Sequence, residues 1–190
     1  GETIRLDGPE RHFSKLGTPT MGGLLFIAPV ALITILLSAA SYIGTTQILG
    51  RSVLVPLGVM VSFALLGSID DWMGLRGKGE VKGMRARLKF ILQWLIALVT
   101  AFGLYHLLDA PQLFLPGFDV EFRIGIWYIP IAAFIIVSMS NAVNLTDGLD
   151  GLAGLIAATA FTAYGGIALL QGQIYLARFC FTVVGALFGF

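Results

Sequence analysis

The chain has 190 residues and a mass of 20.3 kDa; 57% of residues are apolar, only 12% are charged, and the mean hydropathy is +0.88. A soluble domain carries roughly twice that charged fraction and uses it to cover its surface, so the composition points away from a soluble globule. One cysteine provides neither a disulfide framework nor a thiolate metal site, and a net charge of +1 favours no class of charged partner.

Residues 8–23, GPERHFSKLGTPTMGG, are polar and punctuated by Pro9 and Pro19, and Gly22-Gly23 leads into the first apolar stretch. Lys15, Thr18 and Thr20 are suited to reaching a phosphate or nucleotide, although a juxtamembrane turn would look similar. The segment holds no P-loop and no dinucleotide-binding glycine pattern. No charge then occurs between Lys15 and Arg51, and the predicted membrane spans are 22–41, 52–69, 90–108, 124–140 and 151–170, with an incomplete sixth at 177–190. Crossing a hydrocarbon layer of ~30 Å at ~1.5 Å per residue needs stretches of about this length. Buried helices of a large soluble protein are the weaker alternative, and alternating β-barrel segments are not seen. The fold class is therefore an all-α, polytopic membrane bundle. Gln112–Arg123, with Pro116-Gly117 at its centre, reads as either a small extracytoplasmic β-hairpin or an irregular loop.

Alternation across the spans puts residues 1–21, 70–89 and 141–150 on one side of the membrane. That side carries nine Lys and Arg residues, against Arg51, Arg123 and Arg178 on the other. The positive-inside rule makes the richer side cytoplasmic.

Asp70-Asp71 lies at the mouth of the second span, where carboxylates need water, cations or a metal. The span is expected to end near this pair, with compensation from the cations of Arg76–Lys89 or from a divalent ion. In that basic stretch, Gly77, Gly79 and Gly83 suggest a mobile first part, and Arg87 and Lys89 lie where the next helix begins. Ordinary attraction to lipid headgroups explains Arg76, Lys78 and Lys82 about as well as a site does. In SNAVNLTDGLDGLAGL, Asn141, Asn144, Asp147 and Asp150 recur at intervals of three and form one polar stripe if the segment is helical. Both acidic clusters fall on the cytoplasmic side. Hard oxygen donors suit Mg2+, which also favours substrate phosphates, and the combination fits phosphoryl-type transfer involving a lipid. A transporter is the competing class, but here the acids sit at span ends rather than span centres.

Three segments in this order, GPERHFSKLGTPTMGG, the DD pair followed by GMRARLKFILQ, and NAVNLTDGLDGLAGL, closely resemble the phospho-N-acetylmuramoyl-pentapeptide transferase family, and the likeness runs over essentially the whole chain. The resemblance implies Mg2+-dependent transfer of phospho-MurNAc-pentapeptide from UDP-MurNAc-pentapeptide to undecaprenyl phosphate, giving lipid I and UMP, at the cytoplasmic face of the bacterial plasma membrane. It implies catalytic roles for Asp70, Asp71, Lys89, Asp147 and Asp150, with Asp70 contacting the lipid phosphate and available as a base. It assigns substrate contacts to Lys15, Thr20, Asn144, Asp147 and Asp150, and Mg2+ to Asp70 and Asp71. Implied partners are the two substrates, membrane lipids and a second copy in a homodimer, with no nucleic acid. The related UDP-N-acetylhexosamine:polyprenyl-phosphate sugar-1-phosphate transferases share the acidic regions and are the second choice, since GTPTMGG resembles the muramoyl branch.

Relative to that family the chain resembles the part from after its first helix into its seventh. The family's further aspartate, in a segment resembling FMGDTGSLALG, and its histidine-rich loop are not among these residues. The 190 residues are thus expected to form half a site, to need the remaining segments or a complementing chain, and to be inactive alone. The alternation is testable by thiol labelling: Asp71→Cys and Asp147→Cys should be reached from the same side of the bilayer, and labelling from opposite sides would separate the two acidic clusters.

Overall fold

The computed structural model describes residues 21–44, 51–76, 83–108, 112–114, 121–149 and 151–189. Among these residues lie six α-helices: α1 (Gly23–Gly44), α2 (Arg51–Arg76), α3 (Ala86–Leu107), α4 (Tyr128–Thr146), α5 (Leu152–Leu170) and α6 (Ile174–Gly189). Four of the helical segments, Val53–Arg76, Ala86–Leu107, Gly125–Thr146 and Leu152–Leu170, are long and apolar enough to cross a membrane. The chain is an all-α polytopic membrane protein. Its outward side chains suit lipid contact: Leu170 is 90% exposed and Val99 67%. Many hydroxyls on these helices are satisfied within their own turn, as where Ser68 donates to the Ala64 carbonyl at 2.7 Å and Thr100 to that of Ile96 at 2.8 Å. Such back-bonding lets a hydroxyl sit in lipid without a free donor.

Two antiparallel strands, β1 (Gln112–Phe114) and β2 (Glu121–Arg123), pair in the register Gln112 to Arg123, Leu113 to Phe122 and Phe114 to Glu121. The hairpin alternative for this loop is the one found; Pro116 and Gly117 lie outside the described residues.

The helix ends differ informatively from the charge boundaries. α2 does not stop at Asp70-Asp71 but continues to Arg76. No proline interrupts it there, Arg76 in the last turn complements the helix dipole, and its guanidinium lies 4.6 Å from the centre of the Trp72 ring one turn back. At about 1.5 Å per residue α2 outruns the hydrocarbon layer and carries the aspartates to its edge. α3 begins at Ala86, because Ala-Arg-Leu-Lys favours helix whatever its charge. In α4, Pro130 sits in the first turn, where its missing N–H costs nothing.

Helix packing falls into two groups. Val30 of α1, Val53 of α2 and Phe179, Cys180 and Val183 of α6 form one buried cluster, flanked by Phe161 of α5. Ala97 and Ala101 of α3 close against Ala133 and Val137 of α4 in the other. α2 touches α1, α3 and α6 and so joins the two. Where α1 meets α6, Thr34 is buried and its hydroxyl finds no partner among the described residues.

α5 and α6 approach closely at Gly165. A Cβ there would lie 3.0 Å from the Phe181 ring and 3.2 Å from the Cys180 Cβ. The turn between them uses Gly172 at φ +70°, with the Gln173 N–H donating to the Ala168 carbonyl at 2.8 Å. Gly165→Ala is expected to destabilise the bundle by about 1–3 kcal/mol through overpacking. Gly58→Ala, with nothing within 4 Å of the added carbon, should be near neutral. Heat-unfolding midpoints of the two variants in detergent check the contrast.

Candidate functional site

One end of the bundle brings Met21, Asp70-Asp71, Met84 and Lys89 together. Asp70 sits in the penultimate turns of α2, partly buried, and both carboxylate oxygens are engaged. The Met84 N–H donates to Oδ1 at 2.8 Å, and the Lys89 ammonium donates to Oδ2 at 2.7 Å. The Asp70 side chain is 20% exposed and that of Lys89 36%, so the ion pair is open to screening and contributes about 1 kcal/mol or less on its own. Its larger effect is geometric: it ties the start of α3 to the end of α2.

The loop arrives at Asp70 through Gly83. This residue has φ +91°, and a Cβ on it would stand 3.1 Å from Asp70 Oδ1. A side chain is therefore disfavoured by backbone conformation and by the carboxylate together. Gly83 marks a close approach, in contrast to the mobility its glycine neighbours suggested; Gly77, Gly79 and Lys82 lie outside the described residues.

Asp71 is held from a different direction. The Met21 N–H, just before α1, donates to Asp71 Oδ2 at 3.2 Å. Met21 has φ +67°, a left-handed conformation uncommon outside glycine, and it turns the chain from the first polar segment into Gly22-Gly23 and α1. The two adjacent carboxylates thus receive backbone donors from two separate segments. Among the described residues, Asp70 accepts two hydrogen bonds and Asp71 one.

The second acidic cluster is built differently from the expected stripe. α4 ends at Thr146, and Asp147 is its C-terminal cap at φ −78°, ψ 50°. Asn141 and Asn144 share a helical face, but the stripe does not continue: Asp150 falls in the connection to α5, outside the described residues, as do Lys15 and Thr20. Gly151, at φ +76°, is the N-terminal cap of α5 and so opens the next helix. Asn144 and Asp147 are both exposed. Among the described residues, no hydrogen bond or ion pair joins either one to Asp70 or Asp71.

The link between the clusters runs through a residue that sequence reasoning passed over. Gln93, only 6% exposed, accepts a hydrogen bond at 3.1 Å from Asn141 Nδ2, which also donates to the Val137 carbonyl at 2.8 Å. The available signal was an amide inside a charge-free span, four residues after Lys89. Backbone donors such as those of Met21 and Met84 leave no side-chain signature, apart from the glycines beside them.

Among the described residues, no group of three or more His, Cys, Asp or Glu side chains gathers as a metal site. What is present is an adjacent pair of carboxylates with lone pairs beyond those engaged by Met84, Lys89 and Met21. A pair of this kind fits Mg2+ in its usual manner, in which one or two carboxylates hold the ion and substrate phosphates and water complete the octahedron.

A family model described as glycosyl transferase family 4 matches residues 53–190, and one described as phospho-N-acetylmuramoyl-pentapeptide-transferase signature 1 matches residues 15–27. The chain is 46% identical over 193 aligned residues to the phospho-N-acetylmuramoyl-pentapeptide-transferase of Chloroflexus aurantiacus (strain J-10-fl), covering 98% of this chain and 50% of that protein. It is 44% identical to the protein of the same name from Chloroflexus aggregans, with the same coverage of each. The chain spans about half the length of these curated relatives.

The tether at Asp70 predicts how two substitutions act. Gly83→Ala should break the Met84–Asp70 bond and loosen the residues before α3. Lys89→Met should leave Asp70 without its cation. Gly83→Ala is expected to cost about 1–3 kcal/mol and Lys89→Met about 1 kcal/mol or less, and amide hydrogen exchange at residues 83–89 should quicken in both variants. Unchanged exchange would show that Asp70 does not hold this segment.

Proposed function

The chain belongs to glycosyl transferase family 4, and on that premise we propose that it provides one part of an enzyme that transfers phospho-MurNAc-pentapeptide from UDP-MurNAc-pentapeptide to undecaprenyl phosphate. A phosphate oxygen of the lipid attacks the β-phosphorus of the nucleotide sugar. The bond from that phosphorus to the bridging oxygen breaks, UMP leaves with the electron pair, and lipid I is formed. The observation that carries this reading is the convergence at one end of a membrane bundle of Met21, Asp70-Asp71 and Lys89. The match of the signature over residues 15–27 supports the muramoyl donor over an N-acetylhexosamine donor.

This chain's residues divide the work by charge. Bringing a water-soluble donor against a lipid-held acceptor is chiefly a positioning problem, and both substrates are anions. Lys89 supplies a fixed positive charge for phosphate. Asp71, with fewer donors upon it than Asp70, is the better placed to orient or deprotonate the attacking phosphate. Asp70 keeps Lys89 and the Gly83-Met84 backbone in position, and contact with the lipid phosphate would require it to release one of these partners. Lys15, Thr20, Asn144, Asp147 and Asp150 are assigned to the nucleotide sugar. Asp71, with Asp70, would hold Mg2+, which when bound neutralises diphosphate charge. The reading places the site at the cytoplasmic face of the bacterial plasma membrane, with the remaining ligands supplied by the half of the relatives' length outside this chain, and a homodimer as the assembly.

The test uses a protein of the relatives' full length that carries this sequence, with undecaprenyl phosphate, Mg2+ and either UDP-MurNAc-pentapeptide or UDP-GlcNAc. UMP and lipid I are expected from the first donor only. Asp71→Asn should lower kcat roughly a hundredfold or more. Turnover of UDP-GlcNAc alone would transfer the assignment to the hexosamine branch, and substrate movement without covalent transfer would replace the enzyme with a transporter.

A further inference from the structure

On α3, Lys89, Gln93, Ala97 and Ala101 recur at every fourth residue and so form one stripe along the helix. Its inner part is apolar and tight: Ala97 and Ala101 are 0% exposed against Ala133, also 0%, and Val137 of α4. One turn outward the same stripe presents Gln93 to Asn141, and one turn further it presents Lys89 to Asp70. On α4 the matching positions are Ala133, Val137 and Asn141, again four apart.

An amide at this place is not needed to join the helices. The alanines already let the backbones approach closely, and an apolar side chain of similar length would pack there without the desolvation cost of a carboxamide. What alanine contacts lack is a preferred register, because small smooth surfaces tolerate sliding and rotation. A directional bond removes that freedom. The Asn141 amide is held at both ends, by Gln93 Oε1 on the neighbouring helix and by the Val137 carbonyl on its own.

We propose that Gln93 is a positioning residue. Through Asn141 it sets the height and rotation of the last turn of α4, and thereby holds Asn144 and Asp147 in register with Lys89 and Asp70. α3 then acts as the spacer between the two acidic clusters, with its partners on consecutive turns about 6 Å apart along the axis. The importance of this register rests on the transferase reading above, since it is a two-substrate reaction that needs both clusters at a fixed separation.

The experiment uses the same full-length protein. Gln93→Met keeps length and apolar packing but removes the acceptor; Asn141→Leu removes the donor; Gln93→Glu retains an acceptor oxygen. Spin labels at Leu88→Cys and Val143→Cys, in a background free of other cysteines, report the separation of the α3 and α4 ends. Gln93→Met and Asn141→Leu are each expected to broaden that distance and to raise the KM for the nucleotide-sugar donor about tenfold, with the KM for the lipid phosphate within about twofold of the parent. The double variant should be no worse than either single one, and Gln93→Glu should restore both readouts. An unbroadened distance in Gln93→Met, or losses that add in the double variant, would overturn the proposal. If the unsubstituted protein transfers nothing yet the distance broadens in Gln93→Met, the transferase reading fails and the positioning role stands.

Discussion

An ionised carboxylate at the edge of a membrane must be given partners, and in this protein the partners of Asp70 organise everything around it. A charge left bare there is disfavoured, because the apolar span beside it offers no solvation. The chain meets the demand with a backbone N–H and an ammonium that come from just before α3 and from its first turn. These contacts tie the start of α3 to the end of α2, disfavour a side chain at Gly83, and turn the Lys89 face of α3 toward α2. Asp71 makes the same demand in the other direction and draws in the chain just before α1. Two neighbouring acids thus bring together segments that are fifty and fourteen positions away in sequence.

Much of the architecture was legible because lipid is an unforgiving solvent. A stretch such as Phe90–Leu108 can avoid charge for one turn after another only if it crosses or lies in hydrocarbon, and counting such stretches assigns Met21, Asp70 and Asn141 to the same side. Helix ends were less legible because charge and helix are independent properties. Arg76 and Trp72 extend α2 beyond its apolar length, whereas α4 ends at Thr146, inside the polar repeat, and Gly151 caps the next helix. The contacts at this end were legible in three charged side chains and hidden in the backbone. Asp70, Asp71 and Lys89 announce themselves by charge. The donors of Met21 and Met84 do not, and Gln93 is masked by the apolar residues around it.

The division between the two packed groups of helices bears on how such a site is supported. The α3–α4 pair is built around alanines, so its backbones lie close, and the Gln93–Asn141 bond joins the two helices toward their polar end. The cluster of Val30, Val53, Phe179 and Val183 uses larger side chains and joins α1, α2 and α6. α2 belongs to both environments and is the element on which the aspartates sit. Neither helix group alone carries all the groups that meet at its polar end.

The packing of α1 has a bearing on the order of assembly during synthesis. α5 and α6 are neighbours in sequence, joined by a tight turn at Gly172, and can pair as soon as both have left the ribosome. α1 emerges first, yet one of its main neighbours is α6, well over a hundred residues later. Until α6 arrives, Val30 lacks the Phe179 and Val183 surface that buries it. Met21 stands directly before α1, so the seating of its backbone donor on Asp71 depends on how firmly α1 is packed. Nascent chains paused before α6 would hold α1 by α2 alone, with the contact from Met21 to Asp71 the looser for it.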